Sequence, residues 1–260
     1  LMPRANRHFL PGHVWHITHR CHKKEFLLKF ARDRDCWRHW LFEAKKRYGL
    51  CVLNYIITSN HIHLLVRDRG QGEIARSMQL VAGCSAQAYN QRKGRQGAFW
   101  DDRDHATAID SDAYLARCMV YIDLNMVRAG VVTHPTDWRW CGYCEIQSPP
   151  MRYGLIDQRV LTQLLGINSF QRYQQLHQGW LEDALRSRQR GREPVWTQSL
   201  AVGRRDFVER VRLELGATGH HKSVIEERDL YALKEPGMAY TVPFEPEMEV
   251  VSAENTVFLE

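Results

Sequence analysis

Between residues 13 and 130 the spacing of apolar residues alternates between the periods of strands and helices. Residues 13–21 read as a first strand, with Trp15 and Ile17 on one face and His16, Thr18 and Arg20 on the other. Within 31–48, Trp37, Trp40, Leu41 and Ala44 recur at helical spacing, and Gly49 follows where helices commonly end. Residues 50–57 are rich in β-formers, Thr58, Ser59 and Asn60 make a polar turn, and the stretch from His61 returns as a hairpin. A second helix is predicted over 73–92, with Ile74, Met78, Val81 and Ala82 inward and a Lys/Arg-rich break at 94–97. Residues 99–109 are predicted as a fourth strand, and 111–129 as one helix closed by Gly130. Asp110 or Ser111 can cap that helix, because a short side-chain oxygen satisfies free N–H groups at a helix start. A β-α-β-β-α-β order predicts an α+β fold, a ferredoxin-like antiparallel sheet backed by helices on one side.

The pattern is less regular beyond residue 132. An aromatic-dense stretch (Trp138, Trp140, Tyr143) precedes Ser148-Pro149-Pro150, which marks a boundary. Residues 161–189 read as mostly helical, and 203–215 as an amphipathic helix with Phe207, Val208 and Val211 inward. The chain therefore divides into a domain at 1–147, a mainly helical, basic extension at 148–234 and an acidic tail at 235–260. The formal net charge is +6, and no Lys or Arg follows Lys234, so the upstream body is more basic than the average. A polyanionic partner fits that balance. Seven cysteines at irregular spacing give no disulfide framework and suit a reducing cytosol. Cys141 and Cys144 form an isolated C-x-x-C, which reads better as two small half-buried residues than as half a zinc site. No apolar run approaches transmembrane length, so a cytoplasmic, nucleoid-associated protein without a membrane partner is expected.

Two stretches carry candidate chemistry. On a strand, His61, His63 and Leu65 share one face while Ile62, Leu64 and Val66 share the other. Two neutral imidazoles side by side make half of a metal site, although among thirteen histidines such a pair can arise by chance. On the predicted helix, Leu115, Met119, Ile122 and Met126 form a core stripe, and Arg117, Tyr121, Asn125 and Arg128 form a stripe beside it. The bland reading makes Tyr121 a boundary aromatic with its hydroxyl in water. The sharper one makes it a nucleophile toward phosphodiesters, with a metal polarising the phosphate and Arg117 and Arg128 holding the DNA backbone. Asn125 is a hard oxygen donor that can complete a site with two imidazoles and suits Mg²⁺ or Mn²⁺ better than zinc.

These residues resemble those of the single-tyrosine HUH transposases. The likeness lies in His61-Ile62-His63 after Ser59-Asn60, and in Tyr121 with Asn125 four residues on. The run from Tyr121 to Gly130 (YIDLNMVRAG) is similar to the signature helix of the REP-associated tyrosine transposases, the domesticated branch of that family. His16-Ile17-Thr18-His19-Arg20, and Phe99-Trp100 followed by Arg103, resemble its opening strand and the strand before its helix. The resemblance covers about residues 3–147. It departs at Met126, where the family usually has Pro, and this puts the orientation of Asn125 in doubt.

The resemblance implies a metal-dependent endonuclease and strand transferase on single-stranded, hairpin DNA. Tyr121 would form a covalent 5′-phosphotyrosine and leave a free 3′-OH, with Mg²⁺ or Mn²⁺ held by His61, His63 and Asn125. Arg20, Lys23, Arg103, Arg117 and Arg128 are the expected DNA contacts, on a monomer or homodimer. The alternative is a domesticated regulator that binds hairpin DNA without cutting it. A ferredoxin-like RNA-binding domain is disfavoured, since the sheet lacks a clustered aromatic platform.

Overall fold

The structure, a computed structural model, describes residues 9–101, 103–187 and 191–235. The first half runs β1 (Val14–Arg20), α1 (Ala31–Tyr48), β2 (Cys51–Ile57), β3 (His61–Arg67), α2 (Glu73–Lys93), β4 (His105–Ile109), α3 (Ala113–Asp123) and α4 (Asn125–Arg128). The second half runs α5 (Gly142–Gln147), α6 (Gln158–Leu164), α7 (Phe170–Arg186), α8 (Val195–Gln198), β5 (Ala201–Gly203), α9 (Arg205–Glu214), α10 (Ala217–His220), β6 (Ser223–Glu227) and β7 (Leu230–Lys234). All seven strands join one sheet in the order β2-β3-β1-β4-β5-β7-β6, antiparallel except where β4 meets β5. The α+β class and the β-α-β-β-α-β core are as expected from the hydrophobic pattern.

β1 lies between β3 and β4, so its alternation defines the two faces of the sheet. The pairs Thr18↔His63, Arg20↔His61 and His16↔Thr107 put His16, Thr18, Arg20, His61, His63 and Thr107 on one face. Trp15, Ile17, Ile62 and Leu64 occupy the other face and are buried. Each aliphatic side chain fully buried there contributes about 2 kcal/mol. His19 shares this apolar face and stacks on Trp100 at 4.2 Å, and Trp100 donates its indole N–H to the Ala82 carbonyl of α2. α1 and α2 thus cover the apolar face. α3 crosses to the polar face, where Asn54 of β2 donates to Asp123 at its C-terminus.

Three expectations need correction. Only His105–Ile109 of the predicted strand 99–109 is a strand. Ahead of it Trp100 is held across the sheet end by its bond to Ala82 and a single bridge to Cys21. The predicted helix 111–129 is broken at Leu124, whose ψ of 3° separates α3 from α4. The extension is mainly helical, but residues 201–234 also add three strands to the same sheet. Gly203 permits that continuation, because a Cβ there would lie 2.3 Å from Cβ of Asp110. The expected acidic tail lies outside the described residues except for Glu235.

Candidate active site

The hairpin turn orients His61. The Thr58 hydroxyl donates to the His61 carbonyl at 2.8 Å, leaving its lone pairs for N–H groups. His61 Nδ1 lies 2.9 Å from that hydroxyl and 2.7 Å from Asn60 Oδ1. Both partners accept, so Nδ1 carries the proton and Nε2 keeps its lone pair. His63, two residues on, is fully lined by protein: its Nδ1 lies 2.8 Å from His16 Nε2 and its Nε2 lies 2.9 Å from Asn125 Nδ2. Burial pushes His61 down to about 3 and His63 well below the usual histidine value. Both imidazoles are therefore neutral near pH 7, the state in which they bind metals.

The break at Leu124 shapes the opposite wall. Leu124 N–H still bonds the Val120 carbonyl, but the Tyr121 carbonyl receives the Arg128 guanidinium at 2.6 Å. The same guanidinium lies over the Tyr121 ring, 4.1 Å from its centroid. The ring is 6.0 Å from His63 and 6.2 Å from His16, and only 5 % of the residue is exposed. Burial pushes the phenol above its ordinary value, against the opposing charges of Arg128 and Arg192 and a hydrogen bond to Thr197. A break without Pro thus delivers Asn125 to His63, and Met126 is simply buried in the core. Two Nε2 lone pairs and one carboxamide make a donor set that fits a hard divalent cation if Asn125 presents its oxygen in place of its nitrogen. Among the described residues no group of three or more His, Cys, Asp or Glu is placed to hold a metal.

Residues 11–125 match the family described as Transposase IS200 like, a stretch that includes His61, His63, Tyr121 and Asn125. That match spans 115 of the 260 residues. No curated protein matches the chain. Among solved structures, the chain is similar to a REP-associated tyrosine transposase bound to a REP hairpin. The identity is 17 % and the TM-score 0.48, over 57 % of this chain and 87 % of that one. It is also similar to a protein from Deinococcus radiodurans R1 described as a candidate transposase. There the identity is 15 % and the TM-score 0.31, over 40 % and 84 % of the two chains.

Arg20 sits on β1 opposite His61, and Lys23 and Arg103 are exposed on the loops at that end of the sheet. Lys23 and Lys24 both adopt left-handed backbone, with φ of 51° and 61°. Such conformations are costly for lysine and cluster at functional loops. Arg117 lies over the Trp196 ring at 5.8 Å and is already engaged, pairing with Asp229 at 2.7 Å and approaching Glu193 at 3.9 Å. A backbone contact by Arg117 would require it to leave Asp229. The aromatic stretch after α4 is structural: Trp138 donates to the Ile57 carbonyl and Trp140 to Asp35, with Arg34 stacked on both rings.

Sequence reasoning missed three participants. His16, on the strand face it shares with Thr18 and Arg20, is buried against His63. Its place opposite the His61 strand becomes visible only with the register of β1 and β3. Trp196 lies 6.3 Å from the Tyr121 ring. Arg192 adds positive charge close enough to bear on Arg20, His61 and Tyr121. Both stand in the extension, about seventy residues past the helix that carries Tyr121 and Asn125, where no periodicity links them to it.

Proposed function

We propose that the protein is a metal-dependent single-stranded DNA endonuclease and strand transferase acting at hairpin sequences. The observation that carries this reading is the meeting of β3 with the broken α3–α4 helix. It puts Asn125 2.9 Å from His63 and the Tyr121 ring 6.0 Å from it, under a guanidinium. In this reading Tyr121 Oη attacks the scissile phosphorus, the P–O3′ bond breaks, and the 3′-oxygen leaves as a hydroxyl. The phenol proton passes to solvent, and the 5′ phosphate stays on Tyr121 as a diester. One phosphodiester is exchanged for another, so the 5′-phosphotyrosine can be resealed onto a second 3′-OH.

His61, His63 and Asn125 would hold Mg²⁺ or Mn²⁺, and the ion would supply polarisation of the phosphate and neutralisation of developing charge. Arg128 stacks on Tyr121 and favours its ionised form. Arg20, Lys23 and Arg103 lie along one end of the sheet and track the strand. The nuclease domain is assigned to 1–147 and the extension to 148–234. Hairpin DNA is the partner, in a cytoplasmic, nucleoid-associated setting, and among the described residues no helix is long and apolar enough to cross a membrane.

The test is a gel assay with labelled single-stranded hairpins and Mn²⁺. Wild-type protein yields a denaturation-stable adduct, and Tyr121→Phe yields none while binding the hairpin as well as wild type. An adduct of undiminished yield from Tyr121→Phe would overturn the proposal. The burial of Tyr121 favours a second reading, a domesticated regulator that binds hairpins without cutting. That reading predicts metal-independent hairpin binding and no adduct at any divalent concentration.

A further inference from the structure

We propose that His16 is a positioning residue of the active site, and that through it the Trp196 carbonyl decides which nitrogen His63 offers. This rests on the reading of His63 as a metal ligand. A backbone carbonyl only accepts, so His16 Nδ1, 2.8 Å from the Trp196 oxygen, carries that ring's proton. Nε2 of the neutral His16 is then an acceptor. His63 Nδ1, 2.8 Å away, must donate to it. His63 is thereby held with its proton on Nδ1 and its lone pair on Nε2, the nitrogen that faces Asn125.

The alternative tautomer is disfavoured by the same contacts. It would set two lone pairs against each other across the 2.8 Å gap and turn an N–H into the metal site. His16 is 0 % exposed, so no water at the surface relieves that clash. The two rings are nearly parallel, 15° apart with centroids at 5.0 Å, which fixes the plane of His63 as well. Outer partners of metal-bound histidines commonly act in this way. The Thr107 hydroxyl of β4 lies 3.3 Å from the Trp196 oxygen and 2.6 Å from the Ser199 oxygen, so β4 holds the turn that presents the carbonyl end of the relay. The relay thus runs from β3 through β1 into the extension, and makes α8 part of the site.

Two readouts test this. Long-range ¹H–¹⁵N NMR of histidine-labelled, metal-free protein reports the His63 tautomer, and Mn²⁺ titration followed by electron paramagnetic resonance reports affinity. Wild type shows His63 protonated on Nδ1. His16→Leu leaves that N–H without a partner, so the tautomer becomes mixed and Mn²⁺ affinity falls by about 10- to 100-fold. His16→Gln supplies an acceptor oxygen toward His63 and a donor toward Trp196, and recovers both readouts. If His16→Leu fails to fold, as circular dichroism would show, His16→Asn replaces it, since its shorter amide cannot bridge both partners. An unchanged tautomer and affinity in the folded variant, or no recovery with His16→Gln, overturns the proposal. If wild type and His63→Ala bind Mn²⁺ alike, the metal reading fails instead, and the wild-type tautomer still decides whether His16 orients His63.

Discussion

Tyr121 is a buried phenol, and the account depends on what lies against it. Burial raises its proton affinity, and the Arg128 guanidinium 4.1 Å from the ring opposes that. Replacing Arg128 by Met should slow adduct formation roughly tenfold or more, as loss of a charge-stabilising group commonly does. The pH profile of the rate should move to higher pH, because the phenol then ionises less readily; a profile that stays in place would remove Arg128 from the chemistry. The histidines make a separate statement about stability. His16 and His61 sit at about 3 in the folded protein against 6.5 when unfolded, so below pH 6.5 the unfolded chain binds more protons. The stability contributed by the neutral rings is complete above pH 6.5 and is lost as pH falls toward 3. Each ring gives a slope of ~1.4 kcal/mol per pH unit in that window. Urea unfolding between pH 7.5 and 4 should show that decline, and His16→Leu should flatten it by one group's share; a wild-type curve flat from pH 7 to 5 would show the rings to be solvated.

α3 is held in place by a polar cluster that the core stripe does not announce. Asp123 accepts from Asn54 at 3.0 Å and faces His177 of α7 at 2.7 Å, both ends of the latter pair fully buried. His177→Phe would leave Asp123 Oδ2 buried without its hydrogen-bond partner, which costs about 1–3 kcal/mol. Gly142 belongs to the same packing, since a Cβ there would meet Asn54 Oδ1 at 2.0 Å. Gly142→Ala should destabilise by ~1–3 kcal/mol and displace Asn54. Denaturation midpoints check both, and a Gly142→Ala protein as stable as wild type would mean that Asn54 is free to shift. The strands β1 to β3 and the helices α1 and α2 were legible in the sequence because each carries its own apolar period and a polar or glycine stop. The break at Leu124 was not, because no Pro or Gly marks it and the carbonyl it releases is satisfied by the Arg128 side chain. β5 is only three residues long and pairs with β4 from more than ninety residues away, so it has no local signature. His61, His63, Tyr121 and Asn125 stood out by residue type and spacing, while His16 needed the register and Trp196 the packing of the extension.

The sheet continues from the first half of the chain into the extension, so the two halves share one sheet as well as the neighbourhood of Tyr121. Positive charge on Arg20, Lys23 and Arg103 gathers at one end of the sheet, whereas Arg117 is engaged with Asp229 and Glu193. Hairpin affinity should therefore fall with salt, and Lys23→Glu with Arg103→Glu should reduce the log–log slope by about 0.7 per lost contact. Arg117→Ala should leave that slope near wild type; an equal loss would show that DNA draws Arg117 away from Asp229. The most direct measurement is peptide mass spectrometry of the protein after Mn²⁺ and a single-stranded hairpin have been added and the DNA digested. The account predicts a nucleotide joined through its 5′ phosphate to the peptide containing Tyr121. A nucleotide on any other residue, or none on a protein that still binds the hairpin, would contradict it.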